Sequence, residues 1–272
     1  MRAFRVLRAL IVPLALAAGA AQAITADEIV ERNAAARGGV EAWKRVQTMA
    51  WAGRADNGAA PGRTLPFLLE QKRPGKTRFE VIAEGQRSVR LFDGREGWKL
   101  RQNPSTGRPE SEAYGEDELR FAAGAAVIDG PLMDYAARHA VFKLAGADEV
   151  NGRRAWVLDV LLPTGSGTRV WVDAETFLEL RLDRPLQSGG KPGVVTVFYA
   201  DYRAFEGLQV PTVVETRAGP GRPANRLLVD RVALNPEIDD EQFARPTVQH
   251  VTRRKSITVD TRSAAAAAPA PR

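Results

Sequence analysis

Thr168-Arg-Val-Trp-Val-Asp-Ala-Glu-Thr-Phe-Leu-Glu-Leu-Arg-Leu-Asp-Arg184 is the stretch of sequence that decides the fold class. Apolar and polar residues alternate on both sides of a short polar segment, and successive side chains of a β-strand point to opposite faces. Leu178, Leu180 and Leu182 alternate with charged residues and are predicted to share one buried face. The stretch therefore predicts two strands, 168–173 and 177–184, joined by a tight turn.

The same alternation recurs on both sides of this hairpin. Short turn signals such as Asn151-Gly152 and Glu206-Gly207 separate the segments, and tight turns join antiparallel neighbours. The pattern predicts an α+β, mainly β protein with an antiparallel meander of about ten or eleven strands. Further strand candidates include residues 49–53, 65–72, 77–83, 89–92, 97–102, 141–145, 155–162, 194–202, 209–216 and 226–234.

Two regions break the strand pattern. Thr25-Ala-Asp-Glu28 is a capping box that predicts a helix ending at Gly38-Gly39, followed by a helical turn at 40–46 that carries Trp43. In the middle of the chain, 116–123 favours a helix with an acidic start. Pro131 can open a second short helix that contains Leu132, Met133 and Tyr135. These residues predict a helical insert between strands.

The N-terminal residues have the pattern of a signal peptide. Arg2, Arg5 and Arg8 precede an apolar run, and Ala21-Gln-Ala23 supplies the small residues that a signal peptidase requires. The chain has no cysteine, so lipid attachment at a cysteine is excluded. We expect residues 1–23 to be removed, 24–251 to form one domain, and the basic, Ala/Pro-rich residues 252–272 to be largely disordered. The predicted localisation is periplasmic, without a lipid anchor.

The composition excludes several classes of function. The formal net charge is +6, but part of it lies in the signal segment and the tail, so nucleic acid is not an expected partner. The two histidines, His139 and His250, are far apart, and no metal-ligand spacing or phosphate-binding loop is present. Ser166 lies in a hairpin loop without the spacing of a nucleophile elbow. No catalytic residue, metal or cofactor is predicted, although a pair of carboxylates that acts on glycans stays open.

Several segments resemble the LolA/LolB-like superfamily of periplasmic lipoprotein carriers, including the outer-membrane lipoprotein-sorting proteins. The similarity covers most of 26–246, but its motifs are short and mostly structural. The resemblance implies an incomplete, half-open antiparallel barrel wrapped around helices, with an apolar cavity for acyl chains. The segments are Ala26-Asp-Glu-Ile-Val-Glu-Arg-Asn33, Arg37-Gly-Gly39, Phe92-Asp-Gly-Arg-Glu-Gly-Trp98, Val150-Asn-Gly152, Trp171-Val-Asp-Ala-Glu-Thr176, Asp201-Tyr-Arg203 and Asn235-Pro-Glu-Ile-Asp-Asp-Glu-Gln-Phe243.

A cavity for a lipid needs inward-facing aliphatic and aromatic side chains. The candidates from strands are Trp51, Phe67, Leu69, Phe79, Val81, Leu91 and Trp98, and those from the helical insert are Leu132, Met133 and Tyr135. Ordinary packing between sheet and helix is the competing interpretation of each residue. The insert could act as a lid, since methionine adapts to apolar ligands of different shape.

The leading hypothesis is a monomeric, non-enzymatic carrier. It would bind the acyl chains of a lipid or lipoprotein and exchange that cargo through transient contacts with a membrane donor and acceptor. The first alternative is a sensor or an accessory interaction module with the same fold and a collapsed cavity, because a shared fold does not determine function. The second alternative is a hydrolase of envelope lipids or glycans.

Overall fold

The computed structural model describes residues 24–56, 58, 62–83, 86–103, 105–133, 139–162, 167–188, 191–219 and 225–246. The predicted signal peptide, Tyr135, Ser166, His250 and the C-terminal tail lie outside these residues. Within the described part of the chain, no helix is long and apolar enough to cross a membrane.

Thirteen antiparallel strands form one sheet in the order β6-β5-β4-β3-β2-β1-β13-β12-β11-β10-β9-β8-β7. Two meanders therefore meet in the centre, where the first strand pairs with the last, and β6 and β7 are the two edges. The predicted meander is confirmed. The strands are β1 Thr48–Asp56, β2 Leu65–Lys72, β3 Lys76–Ala83, β4 Gln86–Phe92, β5 Gly97–Gln102, β6 Pro109–Ala113, β7 Val141–Val150, β8 Arg153–Leu161, β9 Gly167–Asp173, β10 Glu179–Ser188, β11 Lys191–Phe205, β12 Leu208–Ala218 and β13 Asn225–Leu234.

The strand β6 was not predicted, which partly explains why thirteen strands exceed the expected ten or eleven. Its sequence, Pro-Glu-Ser-Glu-Ala, has no apolar face, and its residues are mostly exposed. Hydrophobic alternation is the signal by which a strand is recognised, and an edge strand with both faces in water does not carry it.

In the described part of the chain, three α-helices pack against or across one face of the sheet: α1 Ala26–Ala36, α2 Val40–Lys44 and α3 Glu116–Ala125. We call this face the inner face and the opposite one the outer face. Ile29 and Val30 of α1 pack against Leu158, Val170 and Leu182 of the sheet. Trp43 of α2 packs against Met49 and Val210. The predicted cap of α1 is present, since the Glu28 N–H donates to Thr25 Oγ1 at 3.2 Å.

Gly38 ends α1 where no other residue fits. Its φ is +108°, and an added Cβ would lie 2.6 Å from the Gly207 carbonyl oxygen. Glycine adopts this conformation without the steric penalty of a side chain. The predicted helix end is therefore confirmed, and it places α1 directly against the β11–β12 turn.

The leucines of the opening stretch do not share one face, which corrects the prediction. A β-bulge between Glu179 and Arg181 shifts the register against β9. As a result Leu182 packs on the inner face, whereas Leu180 belongs to an outer-face cluster with Trp171. The strand also begins at Glu179 rather than at Phe177, whose φ is +57°.

The helical insert is confirmed in its first half. α3 spans Glu116–Ala125, and the Gly115 N–H donates to Glu118 Oε2 at 3.2 Å at its start. In the second half, Pro131, Leu132 and Met133 form a bend and a turn rather than a helix. The rest of the predicted second helix, including Tyr135, lies outside the described residues.

Candidate functional site

Five of the predicted binding residues form one patch on the inner face. Trp51 of β1 pairs with Leu69 of β2, and Leu69 pairs with Phe79 of β3. Two residues away on the same strands, Phe67 of β2 pairs with Val81 of β3. The centres of the Phe67 and Phe79 rings are 5.8 Å apart. Paired residues of an antiparallel sheet lie on the same face. We call these five residues, Trp51, Phe67, Leu69, Phe79 and Val81, the inner patch.

The inner patch is only partly covered. Phe67 is buried, with 5% of its surface exposed. Trp51, Leu69, Phe79 and Val81 remain partly accessible to solvent. Trp51 also touches the cluster under α2 and donates its indole N–H to Met49 Sδ at 2.8 Å. The inner patch therefore borders the core that the helices cover. It forms a partly open apolar surface that a ligand could cover.

Leu91 and Trp98 lie on the other face of the same strands. Arg90, the neighbour of Leu91, pairs with Phe79 of the inner patch, so Leu91 points outward. Leu91 and Trp98 pack with Val89 and Leu100 in a separate buried cluster. Successive side chains of a strand point to opposite faces, and Leu91 and Trp98 occupy outward-facing positions of β4 and β5. The structure therefore does not bring these two residues together with the other five.

Leu132 and Met133 are buried to 1% exposure and belong to two different core clusters. Leu132 packs beside Ile29 and Leu158, and Met133 packs beside Trp43 and Ile128. They anchor the segment that follows α3 to the two helices below it. Both side chains are thus packed within the core clusters, and their role in binding stays a prediction.

α3 crosses the inner face and contacts both halves of the sheet, β4 and β5 on one side and β10 on the other. At one end, Lys99 Nζ of β5 lies 3.1 Å from Glu118 Oε2 and 3.0 Å from Glu112 Oε1 of β6. These hydrogen bonds raise the pKa of Lys99. Near the middle of the helix, the Arg184 guanidinium of β10 lies 5.5 Å from the centre of the Phe121 ring. No residue of α3 is fully buried, and the inner patch lies between the two attachments in the strand order.

A buried polar cluster that the sequence analysis missed joins the helices to the sheet. Arg37 Nη1, at the end of α1, lies 2.7 Å from Glu179 Oε1, with both side chains less than a tenth exposed. The Tyr202 hydroxyl donates to Glu179 Oε2 at 3.2 Å, and the Trp43 ring stacks 4.6 Å from the Arg37 guanidinium. Arg37 lay within the quoted Arg-Gly-Gly segment, but no local pattern indicated Glu179 as its partner.

The electrostatics of this cluster follow from its burial. Burial alone would lower the pKa of Arg37, but the neighbouring Glu179 outweighs that effect and raises the pKa. Burial, followed by the negative charge of Glu179, raises the pKa of Tyr202 well above its usual value. The cluster thus holds a paired cation, a paired anion and a neutral phenol. Every polar group has a partner there, as expected of a structural site.

Asp129 connects the segment that follows α3 to Arg73, the residue after β2, through a charge pair. Its carboxylate accepts from Arg73 Nη2 at 2.9 Å, and Arg73 also donates to the Val46 carbonyl oxygen at 2.9 Å. Asp129 itself is 1% exposed. The segment from Ile128 to Met133 is therefore held by a partly buried charge pair and apolar packing, whereas the N-terminal end of α3 is held by accessible charge pairs.

A separate cavity of about 280 Å³ lies at the β5–β6 edge and is lined in part by Trp98, Tyr114, Leu119 and Arg245. It opens beside Trp98 rather than over the inner patch. Among the described residues, no group of three or more histidine, aspartate or glutamate side chains could hold a metal ion.

The open antiparallel sheet with helices across one face has a counterpart among solved structures. A LolA superfamily protein from Nitrosomonas europaea matches the structure with a TM-score of 0.52 and 16% sequence identity, over 82% of this chain and 99% of that one. The LolA-like fold implied by the resemblance is therefore confirmed. At this identity the match establishes the fold alone.

Two other solved structures match with a TM-score of 0.49. One is a DUF1329 family protein from Desulfovibrio piger, with 13% identity over 81% of this chain and 97% of that one. The other is an outer membrane lipoprotein-sorting protein domain from Vibrio parahaemolyticus, with 12% identity over 79% and 94%. No family model and no curated protein matches the sequence.

Proposed function

We propose that the protein is a soluble periplasmic carrier that binds the acyl chains of a lipid or lipoprotein on the inner face of its sheet. The observation that carries the proposal is the inner patch: five apolar side chains brought together by strand register on one face, four of them partly exposed. Exposed apolar side chains that are contiguous commonly mark a site of contact with a ligand or partner. The fold adds support, because it is shared with a LolA superfamily protein.

The proposed mechanism needs no covalent chemistry. Each acyl methylene that moves from water onto an apolar surface contributes about 0.8 kcal/mol. α3 would serve as the cover: its N-terminal end would separate from Lys99, while the segment around Ile128, Leu132 and Met133 stays packed. Release would need only the exposed pairs to break, since α3 has no fully buried side chain. A cargo could then be exchanged between a membrane donor and an acceptor.

The predicted leader and tail complete the proposal. Removal of residues 1–23 would start the mature chain at Ile24, one residue before the cap of α1. The domain would then consist of 24–251 and act as a monomer. The carrier would use no catalytic residue and no cofactor.

Adjacent residues of β3 provide a matched test, because Val81 lies on the inner face and Ile82 on the outer face. Val81→Asp would place a charge in the inner patch, and the desolvation of that charge opposes binding of an acyl chain. We expect at least a tenfold loss of affinity for a fluorescent fatty acid, roughly 1.4 kcal/mol. Ile82→Asp should bind like the unmodified protein, since Ile82 is already 38% exposed.

Thermal unfolding of both variants would show whether either change acts through stability. Equal loss of binding in the two variants, at equal folding, would contradict a role for the inner patch. Absence of any acyl uptake by the unmodified protein would contradict the carrier function itself and favour the sensor or accessory module.

A further inference from the structure

Arg184 holds a charged group inside the inner face, between the sheet and α3. It lies two residues after the buried Leu182 on β10 and pairs with Val195 of β11. Its guanidinium is 5.5 Å from the Phe121 ring of α3. A Cβ added to Gly124 would lie 3.6 Å from Arg184 Cδ and Nε. The side chain is thus enclosed by the sheet on one side and the last turns of α3 on the other.

Among the described residues, Arg184 differs from the arginines near it because no carboxylate pairs with its guanidinium. Arg181 pairs with Asp183, Arg37 with Glu179 and Arg169 with Asp159. In the part of the chain that the structure describes, no carboxylate pairs with Arg184 and no carbonyl accepts from it. Burial accordingly lowers the pKa of Arg184. A partly buried cation without a counter-ion is costly, and a bound anion would relieve that cost.

The surroundings of Arg184 are mostly apolar and lead toward the inner patch. The inner-face residues between them include the apolar Val197, Val214, Leu227 and Val229 and the polar Tyr199 and Thr216, which are buried or partly buried. Burial keeps Tyr199 neutral by raising its pKa to about 12. Four strand spacings separate β10 from β1, or about 19 Å at 4.8 Å each. A long acyl chain can cover that distance beneath α3.

We propose that Arg184 binds the anionic head group of the cargo, a carboxylate or phosphate attached to an acyl chain that lies along the inner face. The inference rests on the proposed carrier function and narrows it to an anionic amphiphile. The guanidinium can donate two parallel hydrogen bonds to either anion, and the Phe121 ring covers part of it. Phe121 holds the plane of the guanidinium through its ring face.

The test compares acyl probes of equal chain length whose head groups are anionic or neutral. A fatty acid and a lysophosphatidylglycerol supply the carboxylate and the phosphate, and a monoacylglycerol of equal chain length supplies the neutral control. In the unmodified protein we expect the anionic probes to bind about tenfold more tightly, as for one charge-assisted pair. Native mass spectrometry and displacement of a neutral fluorescent lipid would measure all three. Whichever anion is preferred identifies the source of the head group.

Arg184→Gln should abolish the preference, so that each anionic probe binds no more tightly than monoacylglycerol does to the same variant, and Arg184→Lys should retain part of the preference. Arg90→Gln is the matched control, because Arg90 is an exposed arginine beside Phe79 on the same face. Equal binding of charged and neutral probes by the unmodified protein would overturn the inference and leave the carrier function intact. A preference that persists in Arg184→Gln, or that disappears in Arg90→Gln instead, would also overturn it. Failure of every probe to bind would overturn both proposals.

Discussion

Glu179 shows how one residue is redirected by its neighbours. By alternation alone its side chain would share the solvated face with Arg181 and Asp183. The bulge at the start of β10 turns it to the inner face, where it meets Arg37 and Tyr202. Removal of one partner from a buried ion pair leaves an uncompensated charge, which costs more than the pair itself contributes.

Glu179→Ala should therefore lower the free energy of unfolding by about 3–5 kcal/mol, measured by urea denaturation at neutral pH. Arg37→Met combined with Glu179→Leu should recover part of the loss, since neither charge then stays buried alone. Asp230→Ala is the control, because its pair with Arg54 is half exposed on both sides and should cost less than about 1 kcal/mol. Similar losses for Glu179→Ala and Asp230→Ala would contradict this account.

At the scale of elements, the β9–β10 turn is held by one carboxylate. Asp173 accepts from the Thr176 N–H at 2.7 Å, the Glu175 N–H at 3.1 Å and the Thr176 hydroxyl at 2.9 Å. Burial would raise the pKa of Asp173, but these hydrogen bonds and the charge of Arg153 outweigh it and hold the pKa below the usual 3.8. The carboxylate thus stabilises the turn in its charged form.

The lowered pKa of Asp173 predicts in which direction the stability of the protein changes with pH. The folded protein holds the Asp173 proton more weakly than the unfolded chain, so the stabilisation is complete above pH 3.8 and declines as pH falls through the lower, folded pKa. Asp173→Ala should cost about 2 kcal/mol at pH 7, and the difference from the unmodified protein should shrink near pH 2. Urea unfolding at both pH values measures this. An equal difference at both would show that the charge of Asp173 does not matter.

Over the whole molecule, the central seam between β1 and β13 joins the two meanders into one sheet. Gly53 sits in this seam at a register shift, and an added Cβ would lie 2.0 Å from the Leu228 carbonyl oxygen. Both chain ends of the domain meet here, so a change in the seam affects both halves. Because the seam connects the two halves of the sheet, we expect the domain to unfold cooperatively.

Gly53→Ala should destabilise the whole domain by at least about 2 kcal/mol, because the backbone of β13 must move to admit the methyl group. Gly193→Ala is the matched control. Its added Cβ would meet only the Leu186 carbonyl oxygen, at 3.9 Å, so the change should be neutral or slightly stabilising. Denaturation followed by both far-ultraviolet and tryptophan signals would test this, and two separate transitions would contradict a shared seam.

The local pattern of the sequence determined the elements, and the tertiary structure decided which of them share a site. The alternation of apolar residues, the capping box at Thr25 and the Gly38-Gly39 stop were sufficient for the sheet and for α1, because each depends on neighbours in the chain. The same alternation placed Phe67, Leu69, Phe79 and Val81 on strands.

The face of each residue and its distant partners needed the structure. Leu91 and Trp98 lie on the outer face because they occupy the alternate positions of their strands. No local signal marks the bulge that turns Glu179 toward Arg37, 142 residues earlier. In the sequence, Arg184 is one of several charged residues in a predicted strand of alternating apolar and polar residues. Its contact with Phe121 of α3 joins residues about 60 positions apart, which short-range periodicity cannot encode.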